Sequence, residues 1–136
     1  MPFEELEHTA DVRIRVRGAG LEELFSEAAR ALSHVIFGGA ARDRGIRHHF
    51  SLEAEDLESL LAEFLSELLF LLDAEGIAFS GVEVELGEKE LFAVVHGEPV
   101  DPDRHREGTE VKGISYSGLK IIKHAEGYVV DILLDV

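Results

Sequence analysis

Between Leu57 and Leu72 the chain places Leu57, Leu60, Leu61, Phe64, Leu65, Leu68, Leu69 and Leu72 on one helical stripe, and Phe70 and Leu71 widen it. A helix apolar over so much of its circumference has to be covered on more than one side. Glu58, Glu63 and Glu67 interrupt the run, and its 16 residues are too few to span a membrane. The spacing predicts a helix from Asp56 to Ala74, ended by Gly76. A second amphipathic helix is predicted from Leu21 to Phe37. Leu21, Leu24, Phe25, Ala28, Ala29, Leu32, Val35 and Ile36 follow helical spacing along its apolar stripe, Glu22 and Glu23 lie in its first turn, and Gly38-Gly39 ends it.

The other segments read as strands. Phe3 to His8 is a short one. In Asp11–Arg17, Val12, Ile14 and Val16 alternate with Arg13, Arg15 and Arg17, the pattern of a half-buried strand. Ile46, His48, Phe50 and Leu52 alternate in the same way. Ile77–Leu86 and Glu90–Gly97 form a hairpin about Gly87-Glu88. Residues 98–109, with Pro99 and Pro102 among charges, read as a solvated acidic loop. Glu110–Ser115, Leu119–Ala125 and Tyr128–Asp135 complete the chain, the last two joined at Glu126-Gly127. Strands linked by such short turns are antiparallel, and two helices are too few to cover both faces of a parallel sheet. The expected fold is α+β: a mostly antiparallel sheet system with two amphipathic helices packed on it, residues 1–136 forming a single domain.

Charge narrows the function. There are 28 acidic against 13 basic residues, a formal net charge of −15. Such a surface repels a phosphate backbone, so direct nucleic-acid binding is not expected. No cysteine is present, which excludes disulfides and thiolate metal sites. Asn and Gln are absent too, and abundant Arg and Glu fit a thermophilic source. Residues 1–20 contain early glutamates and no unbroken apolar segment, so a signal peptide is not expected; the chain reads as cytoplasmic, with no membrane partner.

Phosphate-loop, dinucleotide and nucleophile-elbow motifs are missing. His48 and His49 are adjacent on a strand and point to opposite faces, and His34 lies at the edge of the first helix's stripe. Asp101 and Asp103 have the opening spacing of a calcium loop, but Arg106 and Lys112 stand where that loop needs glycine and glutamate. The arginine row of Arg13, Arg15 and Arg17 could contact an acidic partner or a phosphate; more often such a row is a solvated strand face or pairs with glutamates on the next strand. Two places stand out. One is His8-Thr9-Ala10-Asp11, between two strands. The other is the chain end, where Asp135 and a terminal carboxylate on Val136 lie one residue apart. Carboxylates so close repel unless a cation compensates them, and hard oxygen donors suit calcium or magnesium.

These stretches resemble the archease family over essentially the whole chain. The resemblance rests on His8-Thr9-Ala10-Asp11 and the strand after it, Leu24-Phe25 with Ala28-Ala29, and the leucine-rich second helix. It continues through Gly97-Glu98-Pro99 with Asp101 and His105, Val111-Lys112, Tyr116 and the final Asp135. It implies a non-enzymatic accessory protein that promotes guanylylation and turnover of an RtcB-type 3′-phosphate RNA ligase in tRNA splicing. It also implies a divalent metal, calcium with magnesium as the alternative, on Asp11, Asp135 and the Val136 carboxylate, with partner contacts at His8, Lys112 and Tyr116. Ser117 departs from the family pattern, which has histidine there. Two rival readings are a chaperone-like modulator of a tRNA-modifying methyltransferase and a small metal-dependent hydrolase using Asp11 and Asp135. The charge makes one prediction directly: the protein alone will not retain RNA in a low-salt filter-binding titration, and tight retention would instead implicate the Arg13–Arg17 face.

Overall fold

The structure is a computed structural model that describes residues 2–6, 11–105 and 107–136. Its elements are β1 (Phe3–Leu6), β2 (Val12–Gly18), α1 (Leu21–Phe37), β3 (Ile46–Glu53), α2 (Leu57–Glu75), β4 (Ile77–Leu86), β5 (Glu90–Pro99), β6 (Gly113–Ile114), β7 (Ile121–His124) and β8 (Gly127–Asp135). Every strand pair among them is antiparallel. The α+β architecture is as expected, and none of the described helices is long and apolar enough to cross a membrane.

The strands form two sheets. In one, the order is β1-β2-β8-β6, with β7 also paired to β8; in the other it is β3-β5-β4. Both helices touch both sheets. Local chemistry sets their ends. Asp56 caps α2 by accepting the Ser59 N–H at 2.8 Å, and Gly76 ends it in the left-handed conformation at φ 66°. Gly38 does the same for α1 at φ 61°. The apolar faces meet in one core, where Phe64 of α2 lies 5.8 Å from Phe25 of α1 and 6.1 Å from Phe50 of β3, centroid to centroid. Leu60, Leu61, Phe64, Leu65, Leu68 and Leu71 of α2 are all fully buried, as a helix covered on several sides requires.

α1 has a second task. It lies along the outer edge of β4 and satisfies backbone groups that β5 cannot reach. Ser26 donates to the Val82 carbonyl, Ser33 donates to the Phe79 carbonyl at 2.7 Å, and Glu22 accepts the Leu86 N–H at 2.8 Å. Sheet edges left open invite foreign strands, and here one helix closes the edge with three side chains spaced along one face.

The structure departs from the sequence expectation at β5 and β6, and β7 is shorter than the expected Leu119–Ala125. β5 runs on to Pro99, which puts Glu98 inside a strand rather than in the loop. The strand expected over Glu110–Ser115 is only Gly113–Ile114, because Thr109 is tied to the C-terminal turn of α1 through its N–H to the Val35 carbonyl at 2.8 Å. β1 is described only to Leu6, so the expected strand end at His8 lies outside the described residues. The edge closure is testable. Ser33→Ala leaves the buried Phe79 carbonyl without its donor, which lowers unfolding free energy by about 1–3 kcal/mol. Urea denaturation measures this, with exposed Ser117→Ala as a control that changes stability by less than about 0.5 kcal/mol.

Candidate functional site: a carboxylate corner at the end of β8

β8 pairs with β2 from Gly18↔Tyr128 to Val12↔Leu134. That last pair stands one residue from Asp11 on one strand and from Asp135 on the other. On its other side, β8 pairs Asp135 with Gly113 of β6, and the Lys112 N–H donates to the Asp135 carbonyl at 2.7 Å. A Cβ on Gly113 would sit 3.5 Å from Asp135 Oδ2, so the carboxylate lies over a residue with no side chain. Asp135 and Val136 are exposed and Asp11 is half-buried. Among the described residues, neither the Asp11 nor the Asp135 carboxylate has a hydrogen-bond or ion-pair partner.

Strand alternation places Asp135 on the same sheet face as Leu133 and Asp131, and Asp11 on the face of Arg13, Arg15 and Arg17. The register makes these one face, Arg15 lying opposite Asp131. The arginines there are already engaged. Arg15 grips Asp131 with two hydrogen bonds, Nε to Oδ1 at 2.8 Å and Nη2 to Oδ2 at 3.0 Å, and Arg13 adds a third at 3.1 Å. Arg17 reaches Glu4 at 3.4 Å. The Arg15 guanidinium, seconded by Arg13, holds the Asp131 carboxyl below the usual carboxylate range. Of the sequence readings for this row, pairing with acids on neighbouring strands is the one realised. Arg13, which precedes Asp131 on that face, is therefore spoken for.

The corner fits a hard cation in chemistry. Its donors would all be carboxylate oxygens, and neither the Asp11 nor the Asp135 side chain is ion-paired among the described residues. Side chains alone do not complete a cage, since among the described residues no three His, Asp or Glu side chains gather into a metal site. A third carboxylate would have to come from the chain terminus at Val136. Lys112 is exposed beside Gly113, and Tyr116, 53% exposed, follows β6 by two residues. Lys112 adjoins the corner through its bond to the Asp135 carbonyl, and Tyr116 lies further along the same segment. His8 lies outside the described residues.

The acidic loop holds a group that the sequence reading misplaced. Glu98 is buried, only 1% exposed. It accepts from the Arg104 guanidinium, from the Arg42 N–H at 2.8 Å and from His105 Nε2 at 3.1 Å. His105 Nδ1 in turn accepts the Asp101 N–H at 2.8 Å, which leaves the ring proton on Nε2, pointing at Glu98. Asp101 Oδ1 accepts the Asp103 N–H at 3.0 Å, so these two acids shape the turn. Gly97 is required by contact: a Cβ there would lie 2.4 Å from the Ala78 carbonyl oxygen of β4. Alternation along β5 places Glu98 on the outer face; the loop folds back over it and supplies the partners. No local periodicity signals this, though Arg104 and His105 six and seven residues on could have.

The Arg104 hydrogen bond, helped by the Arg42 N–H and His105, lowers the Glu98 carboxyl to about 2 against the burial that opposes it. A carboxyl depressed in the folded state stabilises the fold at pH above its ordinary value, and that stabilisation disappears as pH falls through the depressed one. Denaturation midpoints of wild type and Glu98→Gln should differ by a constant amount from pH 7 down to the ordinary glutamate range near 4.5, then converge as pH falls toward about 2. A gap independent of pH would show that the ionised form is not what the loop binds.

The archease protein family model matches residues 3–136. Protein archease of Pyrococcus furiosus is 40% identical over 129 residues, covering 92% of this chain and 91% of that one. An archease-like protein of Drosophila melanogaster is 38% identical, covering 100% and 91%. The solution structure of protein 1598 from Methanobacterium thermoautotrophicum matches with a TM-score of 0.87 at 30% identity, over 99% of both chains. The crystal structure of a Thermotoga maritima archease, described as a possible chaperone, matches in fold with a TM-score of 0.68 at 22% identity, over 98% of this chain and 96% of that one. With a family match over nearly its whole length and full-length relatives at this identity, the chain belongs to the archease family.

Proposed function

We propose that the protein is a non-enzymatic accessory factor that activates an RtcB-type 3′-phosphate RNA ligase, promoting its guanylylation and multiple turnover, and that it acts in the cytoplasm. The observation that supports this reading is the β2–β8 register, whose last pair, Val12↔Leu134, stands one residue from both Asp11 and Asp135. Asp11, Asp135 and a Val136 carboxylate would hold a divalent cation, calcium or magnesium, whose charge would offset three carboxylates that otherwise repel. Lys112, which adjoins the corner, and Tyr116, further along the same segment, would meet the ligase, as would His8. The surplus of 15 negative charges would steer the protein to a partner surface built to hold RNA.

The description of the Thermotoga protein as a possible chaperone favours a second reading, in which the same surface modulates a tRNA-modifying methyltransferase. The two differ in partner, so one assay separates them. Substoichiometric protein mixed with ligase, GTP, metal and 3′-phosphate RNA should convert single turnover into multiple turnover. Asp11→Ala, Asp135→Ala and a C-terminal extension, which turns the Val136 carboxylate into an amide, should each abolish stimulation and weaken calcium binding. An N-terminal tag should not, and circular dichroism should stay native throughout. Unchanged ligation across magnesium and manganese concentrations would refute the ligase role, and full activity of the C-terminally extended form would remove Val136 from the site.

A further inference from the structure

The geometry points to a self-association surface on the free edge of β3: this strand pairs, antiparallel, with β3 of a second copy of the chain about a two-fold axis at Phe50. The inference does not depend on the ligase reading. The β3-β5-β4 sheet has two outer edges. α1 closes that of β4, whereas β3, eight residues long, has nothing paired to its outer side among the described residues. The Ala54 N–H donates to the Lys89 carbonyl at 3.1 Å, which fixes the phase of the ladder. Even-numbered residues of β3 direct their backbone groups toward β5. Arg47, His49, Ser51 and Glu53 therefore direct N–H and C=O out of the sheet, where a strand could add.

Charge selects the occupant. The N-terminal end of β3 and its flank carry Arg42, Arg44 and Arg47 against one acid, Asp43, whereas the C-terminal end and its flank carry Glu53, Glu55, Asp56 and Glu58 with no base. A strand that is basic at one end and acidic at the other complements itself when run antiparallel. The phase fits. With Phe50 opposite its own copy, Arg47 faces Glu53 and His49 faces Ser51, so all four outward-directed residues meet outward-directed partners over the length of the strand. Within its own sheet Glu53 lies directly opposite Glu90, a like-charge pairing that costs stability. The second copy's Arg47 would stand on the other side of Glu53 and relieve it. Arg47 is exposed, its guanidinium 3.2 Å from the His96 ring, and Glu53 has no ion-pair partner among the described residues. Two copies joined this way make one continuous six-stranded sheet.

Sedimentation equilibrium of the full chain tests this. The wild type should approach twice the 15.0 kDa of one chain as concentration rises. Arg47→Glu sets Glu against Glu at both ends of the pairing, and Glu53→Arg sets Arg against Arg, so each variant alone should lose self-association by more than about tenfold. An equimolar mixture of the two restores Glu against Arg at both ends and should return to the dimer mass, which no fold defect in either variant would produce. Circular dichroism confirms the fold of each. A wild type that stays monomeric at its highest soluble concentration, single variants that dimerise as well as wild type, or a mixture that stays monomeric would each overturn the assignment.

Discussion

The pairing of β8 with β2 is the constraint on which the rest of this molecule depends. It joins the last strand of the chain to one of the first, in a single register from Gly18↔Tyr128 to Val12↔Leu134. That register puts Ile14 beside Ile132 and Val16 beside Val130, all buried, and so makes the floor of the core. On the opposite face it sets Arg15 against Asp131. A slip of one residue would turn the apolar set outward and the carboxylates inward, an error that no local rearrangement could absorb. The other side of β8 is shared, with β7 along its first half and β6 at its end. One strand thus holds three others and ends at the candidate site.

An excess of acids has to be placed somewhere, and the fold separates them by role. Most stay in water, where mutual repulsion is screened. Asp131 is held by two arginines on the outer sheet face, a part-exposed network whose bidentate geometry fixes the strand register more than it adds stability. Glu98 is the exception. A buried carboxylate is costly unless its oxygens are satisfied, and three donors from residues 42, 104 and 105 do this. The clasp joins three stretches: the segment following α1, the end of β5 and the turn that follows it. Gly108 closes the same region, since a Cβ there would lie 2.2 Å from the Ile36 carbonyl oxygen at the end of α1.

Much of this was legible in the residues. α1 runs from Leu21 to Phe37 as its periodicity indicated, because amphipathic spacing, early glutamates and a following glycine all agree. The arginine row was visible as one face of a strand, but its partner was not: Asp131 is 116 residues from Arg15, and only the sheet topology joins them. Glu98 was misread because Pro99 and Pro102 among charges indicate a solvated loop, whereas β5 runs on to Pro99 and the turn after it folds back over Glu98. β6 came out shorter than its apolar residues suggested because tertiary anchoring of Thr109 claimed the chain just before it. In the candidate site, Asp11 and Asp135 were picked out as carboxylates in unusual settings. The register that ends one residue from each of them is a property of the folded sheet, which no single stretch of sequence contains.

The two edges of the smaller sheet show how differently one fold can treat the same hazard. Unpaired backbone groups on β4 are met by side chains of α1, at the cost of placing two serines and a glutamate on a helix otherwise apolar toward the core. Placing polar side chains there is acceptable only because each finds a backbone partner. On β3 the chain uses charge instead. Arg47 and Glu53 mark the ends of its free edge, and such residues oppose pairing with strands of uniform charge or apolar character. The same residues cannot oppose a strand of inverted polarity, and the antiparallel copy of β3 is such a strand. An edge protected by a charge gradient is thus closed to most partners and open to one, whereas an edge covered by a helix is closed to all.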